Sequence, residues 1–148
     1  MKAERGIAMF VKQLSVFLEN REGRLEEALK ILKDNDINII SLSLADTSDF
    51  GLLRLIVNDP VRAKQVLKES RFSSQVGDII GIRISHTVGS LSAVLSAVTE
   101  AGINIEYMYT LSVGVEGASL ALKTSDPTGT VEILQGQNVH LYSQEELS

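Results

Sequence analysis

Slid along itself by 66 residues, the sequence matches itself, and a chain that must build one unit twice has few folds open to it. Gly23 falls on Gly89. The apolar positions Leu25, Ala28, Leu29 and Leu32 fall on Leu91, Val94, Leu95 and Val98, each set spaced i, i+3, i+4, i+7 as one face of a helix requires. Ile37-Asn38-Ile39 then falls on Ile103-Asn104-Ile105, and Gly51 on Gly117. One inserted residue moves the offset to 67. Asp59-Pro60 thereby meets Asp126-Pro127, and Ala63, Val66 and Leu67 meet Thr130, Ile133 and Leu134.

Within each copy, periodicity and turn residues give the elements. Leu14, Val16 and Leu18 alternate along a strand from Lys12 to Leu18. Asn20-Arg-Glu-Gly23 turns into a helix from Arg24 to about Asn35. Strands follow at Ile37–Ala45 and Gly51–Val57, joined by Asp46-Thr-Ser-Asp49. Asp59-Pro60 supplies an N-cap and a first-turn proline for a helix to about Ser70, and a short strand near Phe72–Val76 closes the unit. The second copy repeats this with strand Asp78–Ile84, helix Ser90–Ala101, strands Ile105–Val113 and Ala118–Lys123, helix Pro127–Gln135 and strand Asn138–Tyr142. The order is βαββαβ twice, an α+β architecture of two ferredoxin-like units, residues 1–76 and 77–148. Each should be a four-stranded antiparallel sheet with both helices on one face. About 70 residues make a thin core, so the copies are expected to pair through sheet edges or faces.

Composition narrows the function. Nineteen acidic against 14 basic residues give a net charge of −5, which offers no electrostatic reason to bind nucleic acid or an anionic membrane. There is no cysteine, hence no disulfide, thiolate nucleophile or thiolate metal site. No apolar run approaches a membrane span, and the N-terminal stretch lacks the parts of a signal peptide, so a cytoplasmic location is expected. The charge is uneven: residues 1–75 carry 12 basic and 11 acidic groups, residues 76–148 only 2 and 8. No G-x-S-x-G elbow, Walker-type lysine loop, dinucleotide fingerprint or pair of histidines at metal spacing is present, so neither a catalytic residue nor a metal or cofactor site is expected.

A strand, a loop ending in Gly, a helix and then Ile-Asn-Ile opening the second strand resemble the ACT domain, a regulatory amino-acid-binding module of ferredoxin-like fold. Ile40–Val57, Ala101–Tyr109 and Ser143–Leu147 further resemble the stand-alone tandem ACT proteins, which carry two such domains and no attached enzyme. The resemblance implies a non-catalytic sensor. Its effector would be a free amino acid held where ACT units meet, at the loop between first strand and first helix. Its partner would be an enzyme or regulator of amino-acid metabolism, and further association into a homodimer fits the same pattern. The alternative is a regulatory or structural subunit that joins a separate metabolic enzyme without binding a ligand itself.

Carried over position by position, the resemblance implies Asn20, Glu22, Gly23, Arg24, Leu25 and Asn38 as ligand-binding in copy one. In copy two it implies His86, Val88, Gly89, Ser90, Leu91 and Asn104. A glycine turn at a helix start suits a carboxylate, since free N–H groups and the positive end of the helix dipole face it. Two departures matter: Glu22 and Val88 stand where the family commonly has Pro, and Leu18 and Ile84 where some members have a polar contact. Each position also has a plainer reading. The glycines serve a turn, and Asn38 and Asn104 bond backbone at a helix-to-strand transition. His86 is a solvated loop residue and Asp46–Asp49 an ordinary hairpin connection. Tyr107 and Tyr109, on one side of their strand, read as interface packing or as the wall of a ligand pocket. His140, far along the chain from any carboxylate cluster, reads as structural.

Overall fold

The computed structural model describes residues 10–46, 49–113 and 117–147. They form β1 (Phe10–Glu19), α1 (Arg24–Asp34), β2 (Ile39–Asp46), β3 (Phe50–Val57), α2 (Pro60–Glu69) and β4 (Ser73–Ile84). These are followed by α3 (Ser90–Glu100), β5 (Ile105–Thr110), β6 (Ala118–Thr124), α4 (Pro127–Gln135), β7 (His140–Leu141) and α5 (Gln144–Leu147). The chain divides into two compact units, Lys12–Asp78 with Leu147, and Ile79–Glu146 with Phe10 and Val11.

In the first unit, alternation along β1 buries Leu14, Val16 and Leu18. These pair in antiparallel register with Leu55, Leu53 and Gly51 of β3, while β2 lies on the other side of β3. Cross-strand partners share a face, so one side of the sheet becomes apolar. Ala28 and Leu32 of α1 and Ala63 and Leu67 of α2 close over that side, which places both helices on one face. The Ser73–Asp78 part of β4 is tied to β1 by Lys12 Nζ, 2.6 Å from Asp78 Oδ1.

The second unit repeats the plan. Ile80, Ile82 and Ile84 of β4 face Leu122, Leu120 and Ala118 of β6, β5 runs beside β6, and β7 pairs with β4 through Arg83–His140 and Ile82–Leu141. The order is β7-β4-β6-β5, the antiparallel arrangement that a βαββαβ unit gives. Val94, Val98, Val131 and Leu134 bring α3 and α4 onto the isoleucine face. On the opposite face, Gly81 leaves room for Tyr142: a Cβ there would lie 3.3 Å from both Tyr142 Cβ and Val11 Cγ2.

Four local outcomes differ from the expected elements. The strands near Phe72–Val76 and Asp78–Ile84 are one strand, since no proline or turn pair interrupts the ladder. The last strand spans only His140–Leu141, and β5 stops at Thr110. A helix, α5, follows Ser143. Its start is a capping box, in which Ser143 N–H donates to Glu146 Oε1 at 2.9 Å and Glu146 N–H to Ser143 Oγ at 3.4 Å.

Candidate functional site

Each unit treats its two helix starts differently. The second helix of each is capped by aspartate: Asp59 Oδ1 accepts from Arg62 N–H, and Asp126 Oδ1 from Gly129 N–H, both at 3.1 Å. The first helix of each starts on a left-handed glycine, Gly23 at φ 83° and Gly89 at φ 86°, with no side-chain cap. Glycine is required there because a Cβ strains that conformation. The N–H groups of Leu25, Glu26, Leu91 and Ser92 find no acceptor among the described residues, so both starts keep unused donors and the positive end of a dipole.

Around the first start, Asn20, Glu22 and Gly23 are exposed. Asn20 N–H reaches Asp49 O at 3.4 Å, which ties the loop to the β2–β3 connection; Thr47 and Ser48 of that connection lie outside the described residues. Arg24 does not face solvent. Its guanidinium carbon sits 3.9 Å from the centroid of the Phe72 ring, its Nη1 lies 2.9 Å from Glu27 Oε2, and its Nε is buried without a partner. Leu25 packs on the core. Glu26 and Glu27 fill the first turn of α1 with negative charge.

Around the second start, the positions of Arg24 and Phe72 are taken by Ser90 and Val139. Ser90 Oγ lies 2.9 Å from Ser85 Oγ, which also donates to Thr87 Oγ1 at 3.1 Å. Val88 is fully exposed, Gly89 and Leu91 are exposed, and α3 has no acidic residue in its first turn. Beside this loop opens a cleft of about 840 Å³, lined by Arg83, Ser85, His86, Gly117, Val139 and His140 among others. Gly117, at φ 91°, forms one wall with backbone alone: a Cβ there would collide with Ile84 O.

Asn38 and Asn104 are exposed and engaged through their backbones. Asn38 N–H donates to Asn58 Oδ1 at 2.9 Å while Asn58 N–H returns to Asn38 O at 3.1 Å. Asn104 has the same reciprocal pair with Ser125, at 2.9 Å each way. The bonds are those of a helix-to-strand junction. Tyr107 and Tyr109 stack with centroids 6.4 Å apart and planes 12° from parallel.

His140, structural on the sequence reading, stands beside one carboxylate and one aromatic ring. Its Nε2 lies 2.7 Å from Glu146 Oε2 and its ring meets Tyr142 edge-on at 5.0 Å. Partial burial pushes the Glu146 carboxyl upward, but the Ser143 N–H and the bond and charge of His140 outweigh it and hold the carboxyl below its ordinary range. His140 also shares the cleft with His86, so both histidines of the chain meet at one place. Only the Ser-x-x-Glu signature at Ser143–Glu146 signalled that a carboxylate would be brought back toward β7.

The family model for the ACT domain pair matches residues 9–148. The chain belongs to the ACT domain pair family. Its fold is also that of the crystal structure of protein BT0572 from Bacteroides thetaiotaomicron, with 37% identity and a TM-score of 0.88 over 95% of this chain and 96% of that one. Two regulatory subunits of aspartate kinase share the fold at low identity. The Thermus thermophilus subunit is 10% identical with a TM-score of 0.58, covering 86% of this chain and 91% of that one. The Thermus flavus subunit is 12% identical with a TM-score of 0.57, covering 84% and 90%. No curated protein matches the chain. The ACT pair is a regulatory module without a catalytic domain, and it accounts for residues 9–148 of the chain. No helix among the described residues is long and apolar enough to cross a membrane.

Proposed function

We propose that this ACT pair is a non-catalytic, amino-acid-responsive regulator that acts on a separate enzyme or regulator of amino-acid metabolism. The observation that carries the reading is the contrast between helix starts: aspartate closes α2 and α4, while glycine leaves α1 and α3 open in both units. Unused N–H groups at a dipole's positive end suit the carboxylate of a free amino acid. The resemblance of fold to aspartate kinase regulatory subunits supports a partner of that kind.

The contacts assigned to the effector are Asn20, Glu22, Gly23 and Asn38 in the first unit and His86, Val88, Gly89, Ser90, Leu91 and Asn104 in the second. Arg24 and Leu25, turned to Phe72 and the core, shape the first loop rather than touch the ligand. The second loop is the better carboxylate site, since α1 opens with Glu26 and Glu27 and α3 opens with none. Binding regulates only if the partner prefers one of the two states, so the effector must bind the free and partnered forms with different affinity.

Calorimetric titration with the twenty amino acids tests this directly. Saturable binding of at least one at millimolar concentration or below is expected; absence of heat from all twenty, with the protein folded by circular dichroism, rejects the reading.

A further inference from the structure

The cleft beside β4 and β7 gathers a guanidinium and two imidazoles in a part of the chain that has few basic side chains. Residues 76–148 contain two Lys or Arg side chains, Arg83 and Lys123, and both histidines of the chain. Arg83, His86 and His140 all line this one cleft. Strand pairing causes the meeting: His140 of β7 stands opposite Arg83 of β4, on the same face of the sheet, and His86 follows three residues after Arg83 as the strand ends. The guanidinium of Arg83 has no hydrogen-bond or ion-pair partner among the described residues. Among the described residues, the carboxylate that meets this wall through His140, Glu146, is already engaged by His140 and the Ser143 N–H. At about 840 Å³ the cleft falls within the usual span of small-molecule sites, and glycine at position 117 keeps the wall beside Arg83 free of a side chain.

From this we infer that the second unit carries an anion site, distinct in its anchor from the helix start: Arg83 receives a carboxylate or phosphate group of a small molecule, with His86, His140 and Ser85 as further polar contacts. A guanidinium presents paired N–H donors that match two oxygens of such a group. The inference rests on the reading above only in taking a small molecule as the effector. It sharpens that reading by requiring a second negative group beyond the amino-acid carboxylate, or an anion with no amino group at all. The first unit has no counterpart: the positions of Arg83, Ser85 and His140 are Phe17, Glu19 and Ser73.

The test is calorimetric titration of the intact protein with L-aspartate, L-glutamate, succinate, inorganic phosphate, L-serine and L-leucine. Wild type, Arg83→Gln and Arg83→Lys are compared, with folding of each checked by thermal unfolding. Dicarboxylates or phosphate are expected to bind at least about tenfold more tightly than the two neutral amino acids. Arg83→Gln should remove that margin and Arg83→Lys restore part of it. Preference for succinate or for phosphate identifies which anion the cleft takes. Equal or tighter binding of serine or leucine, or anion affinity untouched in Arg83→Gln, overturns the anion site while leaving the helix-start reading intact. Anion binding lost in Arg83→Gln, with no amino acid of the twenty bound by wild type, does the reverse. No binding of any of the six overturns the anion site outright.

Discussion

The two units share a fold, a left-handed glycine and an aspartate cap, yet they fill the space beside the first helix in opposite ways. In the first, Arg24 is buried over the Phe72 ring while the loop residues before it stay exposed. In the second, Ser90 and Val139 hold those positions and the neighbouring cleft stays open, lined by Arg83 and two histidines. Backbone constraints were kept in both copies while side-chain volume and charge diverged. A duplicated module can thus retain one architecture while the properties that decide ligand binding separate.

The sharpest way to break the comparison is at a pair of glycines that align. Gly117→Ala should cost about 2–3 kcal/mol, because it combines positive φ with a Cβ inside 3 Å of Ile84 O. Gly51→Ala, whose Cβ would sit at an ordinary 3.6 Å from Leu18 and Leu44, should change stability by less than about 0.5 kcal/mol. Urea midpoints measure both; comparable losses would mean that the two walls are built alike.

Next in size is the packed loop. Arg24→Ala should destabilise by about 1–2 kcal/mol, since it removes the stacking on Phe72 and the aliphatic stem that packs with it. The same truncation at Ser90 should cost a few tenths, the scale of an exposed substitution. Differential scanning calorimetry of the two variants decides whether the loops differ as described.

A third pair should behave identically. Gly23→Ala and Gly89→Ala each force a Cβ into the left-handed region and should each cost about 1 kcal/mol, with no clash within ordinary contact distance to add to it. Values differing by more than about 0.5 kcal/mol would show that the two helix starts are not equivalent.

The smallest effect is a pH dependence confined to the second unit. Glu146 has its carboxyl held below the ordinary value, so its contribution to stability is fully present above that ordinary value and is lost as the pH falls through the lowered one. Glu146→Gln should flatten the acid side of the stability profile slightly and leave the neutral side unchanged. The pair is partly exposed, which keeps the difference small. An acid limb identical to wild type would remove the role assigned to His140 and Glu146.

Much of the architecture was legible in the chain because its signals are local. Helical spacing at Leu25–Leu32, alternation at Leu14–Leu18 and the repeated Asp-Pro each act within a turn or a strand, and each predicts the element observed. Boundaries were less legible: the strand through Gly77 continues because nothing local stops it, and whether it continues depends on partners elsewhere. Of the candidate site, the positive-φ glycines and the exposed loop residues were readable from the repeat. Arg24 was not, since its inward turn depends on Phe72, 48 positions away.

Sequence by itself determined that this protein is two copies of a βαββαβ unit with glycine at each first-helix start and aspartate at each second. Periodicity, caps and positive φ are properties of neighbours along the chain. Only the tertiary structure decided that His86 and His140 meet Arg83 at one cleft, and that Arg24 of the first unit turns onto Phe72. Those outcomes follow from the register of β7 on β4 and from which side chains face each other across a sheet, quantities set by non-local pairing.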